Sequence, residues 1–266
     1  MTPIFRKILL RRDLVRELVI KDLKLRYGRP ALGILWAFLT PLLTVVVFYI
    51  VFSLIFKIQI EEAPFFLYLM TAIFPWSFFQ SCLMSSTSSL LENKNLIRES
   101  IFPHYCIPIS IALANTINFI PSLFIMIIIS AIVKKGLPVF IVLLPAILLI
   151  HLSMIIGLAI IFSVLYVRWR DLKYLLEAVL LFLFYLTPSF YSISMVKDAF
   201  PDFLSKLYMY NPLVEIINLY RIVLLKGFYQ GLHKEVGLFV LIGVPLLFAL
   251  AVLLFSVYIY KKNEKI

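Results

Sequence analysis

The chain has 266 residues, of which 63% are hydrophobic and only 15% are charged. Soluble domains carry about 25% charged residues, so this composition excludes an ordinary soluble domain and indicates a polytopic membrane protein. The net charge is +11, but the basic residues concentrate beside apolar stretches and not on one soluble face. We therefore expect no nucleic acid among the partners.

The N-terminal residues 1–29 predict an amphipathic helix that lies on the membrane surface. The apolar residues Leu14, Val15, Leu18 and Val19 recur at helical spacing, and basic residues fill most of the remaining positions. A basic amphipathic helix of this kind suits an interface with anionic lipid. Two interpretations stay open: a basic anchor that only fixes orientation, and a docking element for a partner. The segment lacks the apolar core and small-residue cleavage site of a signal peptide.

From residue 31 onwards the chain alternates long apolar stretches with short polar loops. About 20 apolar residues suffice for a helix to cross the hydrocarbon layer. The sequence therefore predicts an all-α polytopic membrane protein with six transmembrane helices, and residues 30–266 as one transmembrane domain. The predicted spans are 31–56, 65–90, 107–133, 139–167, 175–191 and 236–260.

Two further segments predict short helices that do not span. Residues 92–102 are polar and compatible with a helix, and Pro103 ends them. Between the fifth and sixth spans, residues 199–210 and 213–226 are too polar to span yet too apolar to lie freely in water. Asn211-Pro212 breaks the chain between them, because proline restrains the preceding residue and removes a backbone donor. We expect this pair to be re-entrant.

The distribution of basic residues predicts the orientation. With six spans both termini share a side, and that side holds 17 of the 25 lysine and arginine residues, against 8 on the other. Basic residues favour the cytoplasmic side of a membrane. We therefore expect both termini in the cytoplasm and residues 192–235 outside.

Sequence motifs of catalysis are absent. Gly28 and Gly33 have the glycine spacing of a phosphate-binding loop, but Ile34 and Leu35 stand where lysine and a hydroxyl residue are needed. Cys82 and Cys106 have no metal-binding spacing, which predicts neither a metal site nor a disulfide framework. His151 is the one histidine predicted deep in a span, where a hydrogen-bonded role inside the bundle is the simpler interpretation. We expect no enzyme activity and an energy source on a partner chain.

Five motifs, taken in order, resemble those of a known family. They are Arg-Tyr-Gly-x-x-x-Leu-Gly-x-Leu-Trp-Ala-x-x-x-Pro at 26–41, Ile-Phe-Pro-Trp-Ser-Phe-Phe at 73–79, Asn-x-Asn-Leu-Ile with Ile-Phe-Pro at 93–103, Arg-Trp-Arg-Asp at 168–171 and Tyr-Asn-Pro at 210–212. The chain resembles the membrane subunit of ABC-2-type polysaccharide exporters, which move lipid-linked O-antigen, capsular polysaccharide or teichoic acid. Trp169 departs from the pattern, which has phenylalanine there.

The resemblance implies a homodimer in the cytoplasmic (inner) membrane of a bacterium, with two separate ATPase subunits below it. ATP and Mg would bind to those subunits, and this chain would bind no cofactor. The N-terminal helix and the 92–102 helix would dock the ATPase. The residues implied in that coupling are Glu92, Asn95, Leu96, Ile97, Arg98, Glu99, Phe102, Arg168 and Asp171.

The first and fifth spans would line a channel for the sugar chain, and helices 199–226 would form its outer gate. Aromatic faces stack on sugars, so aromatic residues in these elements are candidate channel or gate residues. The candidates are Trp36, Phe48, Tyr49, Tyr185, Tyr191, Tyr208 and Tyr210, with Asn211 and Pro212 at the break. One alternative is a permease for a drug or small lipid, which shares the six-span plan. A membrane-embedded glycosyltransferase is disfavoured, because no loop offers a clustered pair of aspartates.

Overall fold

The structure is a computed structural model and describes residues 12–27, 35–58, 60, 63–99, 103–232, 236–237 and 239–262; at 98 and 99 it describes the backbone alone. Every regular element in these ranges is helical. In chain order the helices are α1 (Arg12–Tyr27), α2 (Leu35–Phe48), α3 (Phe65–Glu92), α4 (Lys94–Glu99), α5 (Cys106–Val133), α6 (Leu144–Arg168), α7 (Leu172–Tyr185), α8 (Ile193–Ala199), α9 (Asp202–Met209), α10 (Pro212–Leu224), α11 (Phe228–Leu232) and α12 (Val244–Lys262).

Five helices in the described ranges are long and apolar enough to cross a membrane. Three of them include a segment of different winding at one end. α2 continues into π-helical turns at Tyr49–Ile55, a 3₁₀ turn at Val139–Leu143 precedes α6, and π-helical turns at Phe239–Gly243 precede α12. The five crossings are Leu35–Ile55, Phe65–Glu92, Cys106–Val133, Val139–Arg168 and Phe239–Lys262.

α3 is the central helix of the bundle, because it contacts α2, α5, α6, α7 and α10 and most of its residues are buried. Its hydroxyl-rich tract at 85–89 packs against α5 and bonds largely to backbone. Thr87 Oγ1 donates to the carbonyl of Leu83 at 2.7 Å, and Ser86 Oγ donates to that of Pro108 on α5 at 3.5 Å. Small hydroxyl residues allow helices in a membrane to approach closely.

α1 packs along the bundle as well as carrying the predicted amphipathic pattern. Val15 and Val19 are buried in a cluster that includes Leu90, Ile107 and Tyr260. The apolar stripe of this helix therefore packs on protein, with Leu14 and Leu18 partly buried against the same cluster. The position of the helix at the membrane surface stays a prediction. Residues 1–11 and 28–34 lie outside the described residues.

The predicted fifth span, 175–191, is not among the five long helices. α7 has only 14 residues, and bends follow it from 187 to 191. The helix ends here because Pro188 disfavours helical geometry at Thr187 and has no backbone N–H of its own. Thr187 turns its hydroxyl back to the carbonyl of Phe184 at 2.7 Å.

The described residues between α7 and α12 contain four short α-helices where the sequence predicts two. Ala199 ends α8, and Pro201 separates it from α9, so the predicted helix 199–210 is shorter and begins at Asp202. α10 begins at Pro212, capped by Asn211, whose Oδ1 accepts from the N–H of Leu213 at 3.0 Å. It ends at Leu224, two residues before the predicted limit, and every residue from 213 to 224 is buried.

The predicted helix 92–102 is also shorter than expected. Glu92 is the last residue of α3, and Asn93 interrupts the helical winding before α4 begins. Asn93 can do so because its side chain bonds locally, from Nδ2 to the carbonyl of Ser89 at 2.9 Å. The last predicted residues, including Phe102, lie outside the described residues.

Candidate functional site

One end of the bundle brings together α1, α4 and the loop between α6 and α7. Of the predicted coupling residues, Leu96 and Ile97 are half-buried, and Ile97 packs on the cluster that buries α1. At 98 and 99 only the backbone is described. The remaining described members of the set are exposed: Glu92, Asn95, Arg168 and Asp171.

Hydrogen bonds link α1 to the neighbouring helices at this end. Lys21 Nζ donates to Asn93 Oδ1 at 3.2 Å, next to α4. Arg26 pairs with Asp22 at 2.8 Å and donates to Asn115 Oδ1 on α5 at 3.1 Å. Burial raises the pKa of the Asp22 carboxyl, although Arg26 acts in the opposite direction. The C-terminal half of α1 is therefore tied to the bundle by polar contacts as well as by its apolar stripe.

A cleft of about 510 Å³ opens beside this connection. Its walls come from the end of α1, the first half of α2, the middle of α3 and α5, and two residues of α7. Trp36, the first of the predicted channel residues, lies here and is 49% exposed. Neighbouring residues from α3 and α5 include Trp76, Gln80 and Asn118.

The structure brings four other predicted channel residues into one aromatic cluster, which also contains Phe184 and Phe190. Phe48 stacks on Phe184 with ring centroids 5.8 Å apart. Tyr191 donates from its hydroxyl to the carbonyl of Tyr185 at 3.0 Å and accepts from the Tyr208 hydroxyl at 3.2 Å. This outer aromatic cluster therefore joins α2, α7 and α9.

The remaining aromatic candidates lie apart from that cluster. Tyr49 meets Phe66 edge to face at 5.9 Å, and Tyr210 is more than half exposed at the end of α9. Asn211 and Pro212 serve as the cap and first residue of α10. The structure thus separates the predicted set into a cleft residue, Trp36, an outer aromatic cluster and two peripheral tyrosines.

Arg221 is the largest fully buried side chain in the described residues. Its guanidinium carbon lies 3.4 Å from the centroid of the Tyr68 ring. It donates to the carbonyl of Pro188 and, at 3.5 Å, to that of Tyr68. The Tyr68 hydroxyl in turn donates to the carbonyl of Tyr191 at 2.9 Å. One cation therefore connects α10, α3 and the bends after α7.

His151 is packed inside the bundle and contacts neighbouring helices. It is buried on α6, and its Nδ1 lies 3.3 Å from the hydroxyl of Tyr220 on α10. The Phe78 ring meets it edge to face, with centroids 5.3 Å apart. The histidine thus ties α10 to the middle of the bundle, as the simpler interpretation of the sequence holds.

Asn118 and Trp76 were not among the predicted site residues, although Trp76 belongs to the 73–79 motif, and the burial of Arg221 was not expected. Both residues lie in predicted spans, and the polar side chain of Asn118 at that depth was the available signal, because polar groups are costly inside a membrane. Arg221 is one of the eight basic residues on the predicted outer side. Its position three residues before the end of α10, where Glu215 is the only other charged residue, was the available signal.

Comparison with known proteins places the chain in a family. The ABC-2 type transporter family matches residues 13–225. A protein from Klebsiella pneumoniae, O-antigen export system permease protein RfbA, is 32% identical over 218 residues, which is 81% of each chain. A protein of the same name from Myxococcus xanthus is 28% identical over 223 residues, 84% of each chain. The chain therefore belongs to the ABC-2 type transporter family.

Proposed function

We propose that this chain is the channel-forming subunit of an ATP-driven exporter that moves a lipid-linked polysaccharide of the O-antigen type across the cytoplasmic membrane. The observation that carries the proposal is the family membership. It is supported by two relatives that are named O-antigen export permeases and that match this chain over more than four-fifths of their own length. The family membership supports a separate ATPase subunit that binds ATP and Mg and hydrolyses the nucleotide.

The packing supports six crossings and a common side for both termini. Val15 of α1 shares a cluster with Val164 near the end of α6 and with Tyr260 near the end of α12. Five crossings would place the two ends of the chain on opposite sides. The chain between α6 and α12 therefore supplies one more crossing.

α7 and the bends after it provide that sixth crossing. α7 alone is about 21 Å long, short of the roughly 30 Å hydrocarbon layer. The segment nevertheless runs from one end of the bundle to the other. α7 begins just after the end of α6, and Pro188, in the bends after α7, accepts a hydrogen bond from Arg221 beside Tyr68 at the beginning of α3. Irregular backbone at this depth is tolerated where protein buries it, and Thr187, Pro188 and Ser189 are buried.

The surface of α2 supports assembly as a homodimer. Few of its residues are buried, although it is the first apolar crossing of the chain. α7 also exposes a mixed apolar face, which includes Val179 and Phe182. Two copies that meet through α2 and α7 enclose a path between them, and the outer aromatic cluster lies at one end of that path. α4 lies at the opposite end, where it would contact the ATPase.

Labelling of single cysteines tests the orientation. In a background with Cys82 and Cys106 replaced by serine, we expect cysteines at Lys94 and Lys173 to react with an impermeant maleimide only after the membrane is opened. A cysteine at Lys206 reacts in intact spheroplasts. The physical reason is the excess of basic residues on the side of the termini. Reaction of the Lys94 variant from outside contradicts the arrangement.

Deletion of the gene tests the function. We expect cells without the protein to lose their long-chain surface polysaccharide and to accumulate its lipid-linked form in the cytoplasmic membrane, as measured by extraction and gel electrophoresis. The purified protein should bring down two copies of an ATPase whose hydrolysis rises with that lipid-linked glycan. Full surface polysaccharide in the deletion strain, or a strain altered only in drug sensitivity, contradicts the proposal and favours a small-molecule permease.

A further inference from the structure

The cleft between α1, α2, α3 and α5 has the dimensions of a ligand site. Its volume of about 510 Å³ falls within the roughly 300–1,000 Å³ of small-molecule sites. It lies inside one protomer, between α2 and the rest of the bundle, and at the end of the molecule that holds α1. Because α2 and α7 contribute to its walls, the cleft lies next to the path that we propose between two copies.

Two of the three tryptophans in the chain line this cleft. Trp76 is held in place by Phe79 and Phe184, with ring centroids 5.6 Å from each. Trp36 projects from α2 and is half exposed. A fixed and an adjustable aromatic ring thus face one space, and the C–H groups of a pyranose ring pack well on such faces.

The cleft also offers hydrogen-bonding groups from the first half of α2 and from the middle of α3 and α5. Thr40, Gln80, Ser81 and Asn118 line it. Asn118 is only 7% exposed and bonds to Tyr27, yet its Oδ1 accepts no hydrogen bond from any residue that the structure describes. A buried acceptor without a donor costs about 1–3 kcal/mol. A ligand hydroxyl group that donates a hydrogen bond to Oδ1 would therefore recover part of that free energy on binding.

The charge in the cleft selects among polar ligands. Arg26 is the only cation among the described lining residues, and Asp22 lies 2.8 Å from its Nε. Its Nη1 is bonded to Asn115. A guanidinium that is paired in this way gives little net attraction for phosphate. Neutral hydroxyl and amide groups dominate the remaining polar lining.

We propose that this cleft binds one or two neutral sugar units of the exported glycan before they enter the path between the two copies. The inference rests on the function proposed above. Trp36 and Trp76 supply the stacking faces, and Asn118 accepts from a sugar hydroxyl. Because α1 closes one side and contacts Asn93 next to α4, a change at the ATPase end reaches the bound sugar through α1.

Tryptophan fluorescence tests the site directly. Trp169 is exposed in the loop between α6 and α7, so Trp169→Phe leaves the two cleft tryptophans as the only ones in this chain. The permease–ATPase complex, with any tryptophan of the ATPase replaced by phenylalanine, is titrated in phospholipid nanodiscs with oligosaccharides released by mild acid from the surface polysaccharide of the producing cells. We expect a saturable change in emission. Inorganic pyrophosphate in the same titration should give none.

Asn118→Leu is expected to weaken the apparent affinity about tenfold, the loss of about 1.4 kcal/mol that one hydrogen bond represents. Trp36→Ala changes an exposed position and so keeps the fold; it should remove most of the signal and weaken binding measured by calorimetry. Gln230→Leu removes an exposed amide on α11, away from the cleft, and should bind as the parent does.

The results separate this inference from the function on which it rests. If the deletion strain loses its surface polysaccharide but the parent complex gives no response to the sugar, the cleft is not a sugar site and the function stands. An equal response in the Asn118→Leu complex, or a response to pyrophosphate alone, also overturns the inference. If the deletion strain keeps its polysaccharide, the proposed function fails first.

Discussion

Gly157→Ala is expected to destabilise the protein strongly. A Cβ at this position would lie 2.8 Å from Val252 Cγ1 and 3.0 Å from the backbone nitrogen of Leu253 on α12. Contacts this short force α6 and α12 apart, because backbone atoms cannot move aside as a side chain can. Overpacking of a tight core costs about 1–3 kcal/mol. The measurement is the thermal midpoint of the detergent-purified protein.

Gly237→Ala is the matched control, since a Cβ there meets no atom within 4 Å. It should leave the midpoint where it is. Adding Val252→Ala to Gly157→Ala removes the closest contact but keeps the contact with the backbone of Leu253, so we expect partial recovery. An unchanged midpoint for Gly157→Ala alone means that α6 and α12 are not packed as described.

Arg221→Met is the second change with a large expected effect. It removes the donor to the carbonyls of Pro188 and Tyr68 and the cation above the Tyr68 ring. A buried acceptor left without its donor costs about 1–3 kcal/mol, and the Pro188 carbonyl loses this donor. We expect a lower thermal midpoint and reduced export, because the bends after α7 lose their attachment to α3 and α10.

Arg221→Lys separates charge from geometry. An ammonium keeps the charge but lacks the planar fork that bonds two carbonyls while stacking on a ring, so its midpoint should lie between those of the parent and Arg221→Met. Arg16→Met, at an exposed position of α1, is the control for loss of one arginine. A midpoint for Arg221→Met equal to that of Arg16→Met contradicts the buried role.

The sequence predicted the helical membrane fold because apolar runs of 20 or more residues leave few alternatives to a spanning helix. It predicted the break at Asn211-Pro212 for a local reason as well, since proline and an asparagine cap act on adjacent backbone groups. The same kind of local signal stands at Thr187-Pro188, inside the predicted fifth span, where the structure ends α7.

The candidate site was less accessible because it depends on contacts between distant segments. Phe48, Tyr185, Tyr191 and Tyr208 were selected for their aromatic character, and only packing shows that they meet while Tyr210 does not. The depth of Arg221 was equally hidden, since an amphipathic pattern such as that of α10 normally indicates an exposed polar face. α10 is buried all round, so its polar residues contact protein.

The π-helical turns of α2 and α12 bear on how the length of this chain can vary. In a π turn each N–H bonds to a carbonyl five residues back, so the turn holds one residue more than an α turn. Loss of one residue from 49–55 or 239–243 can be absorbed by rewinding to an α-helix, with the rest of the span left in place. The same loss in the middle of α3 would rotate all later side chains by about 100°. Single-residue deletions are therefore expected to be tolerated in these two π-helical segments and resisted in the central helix.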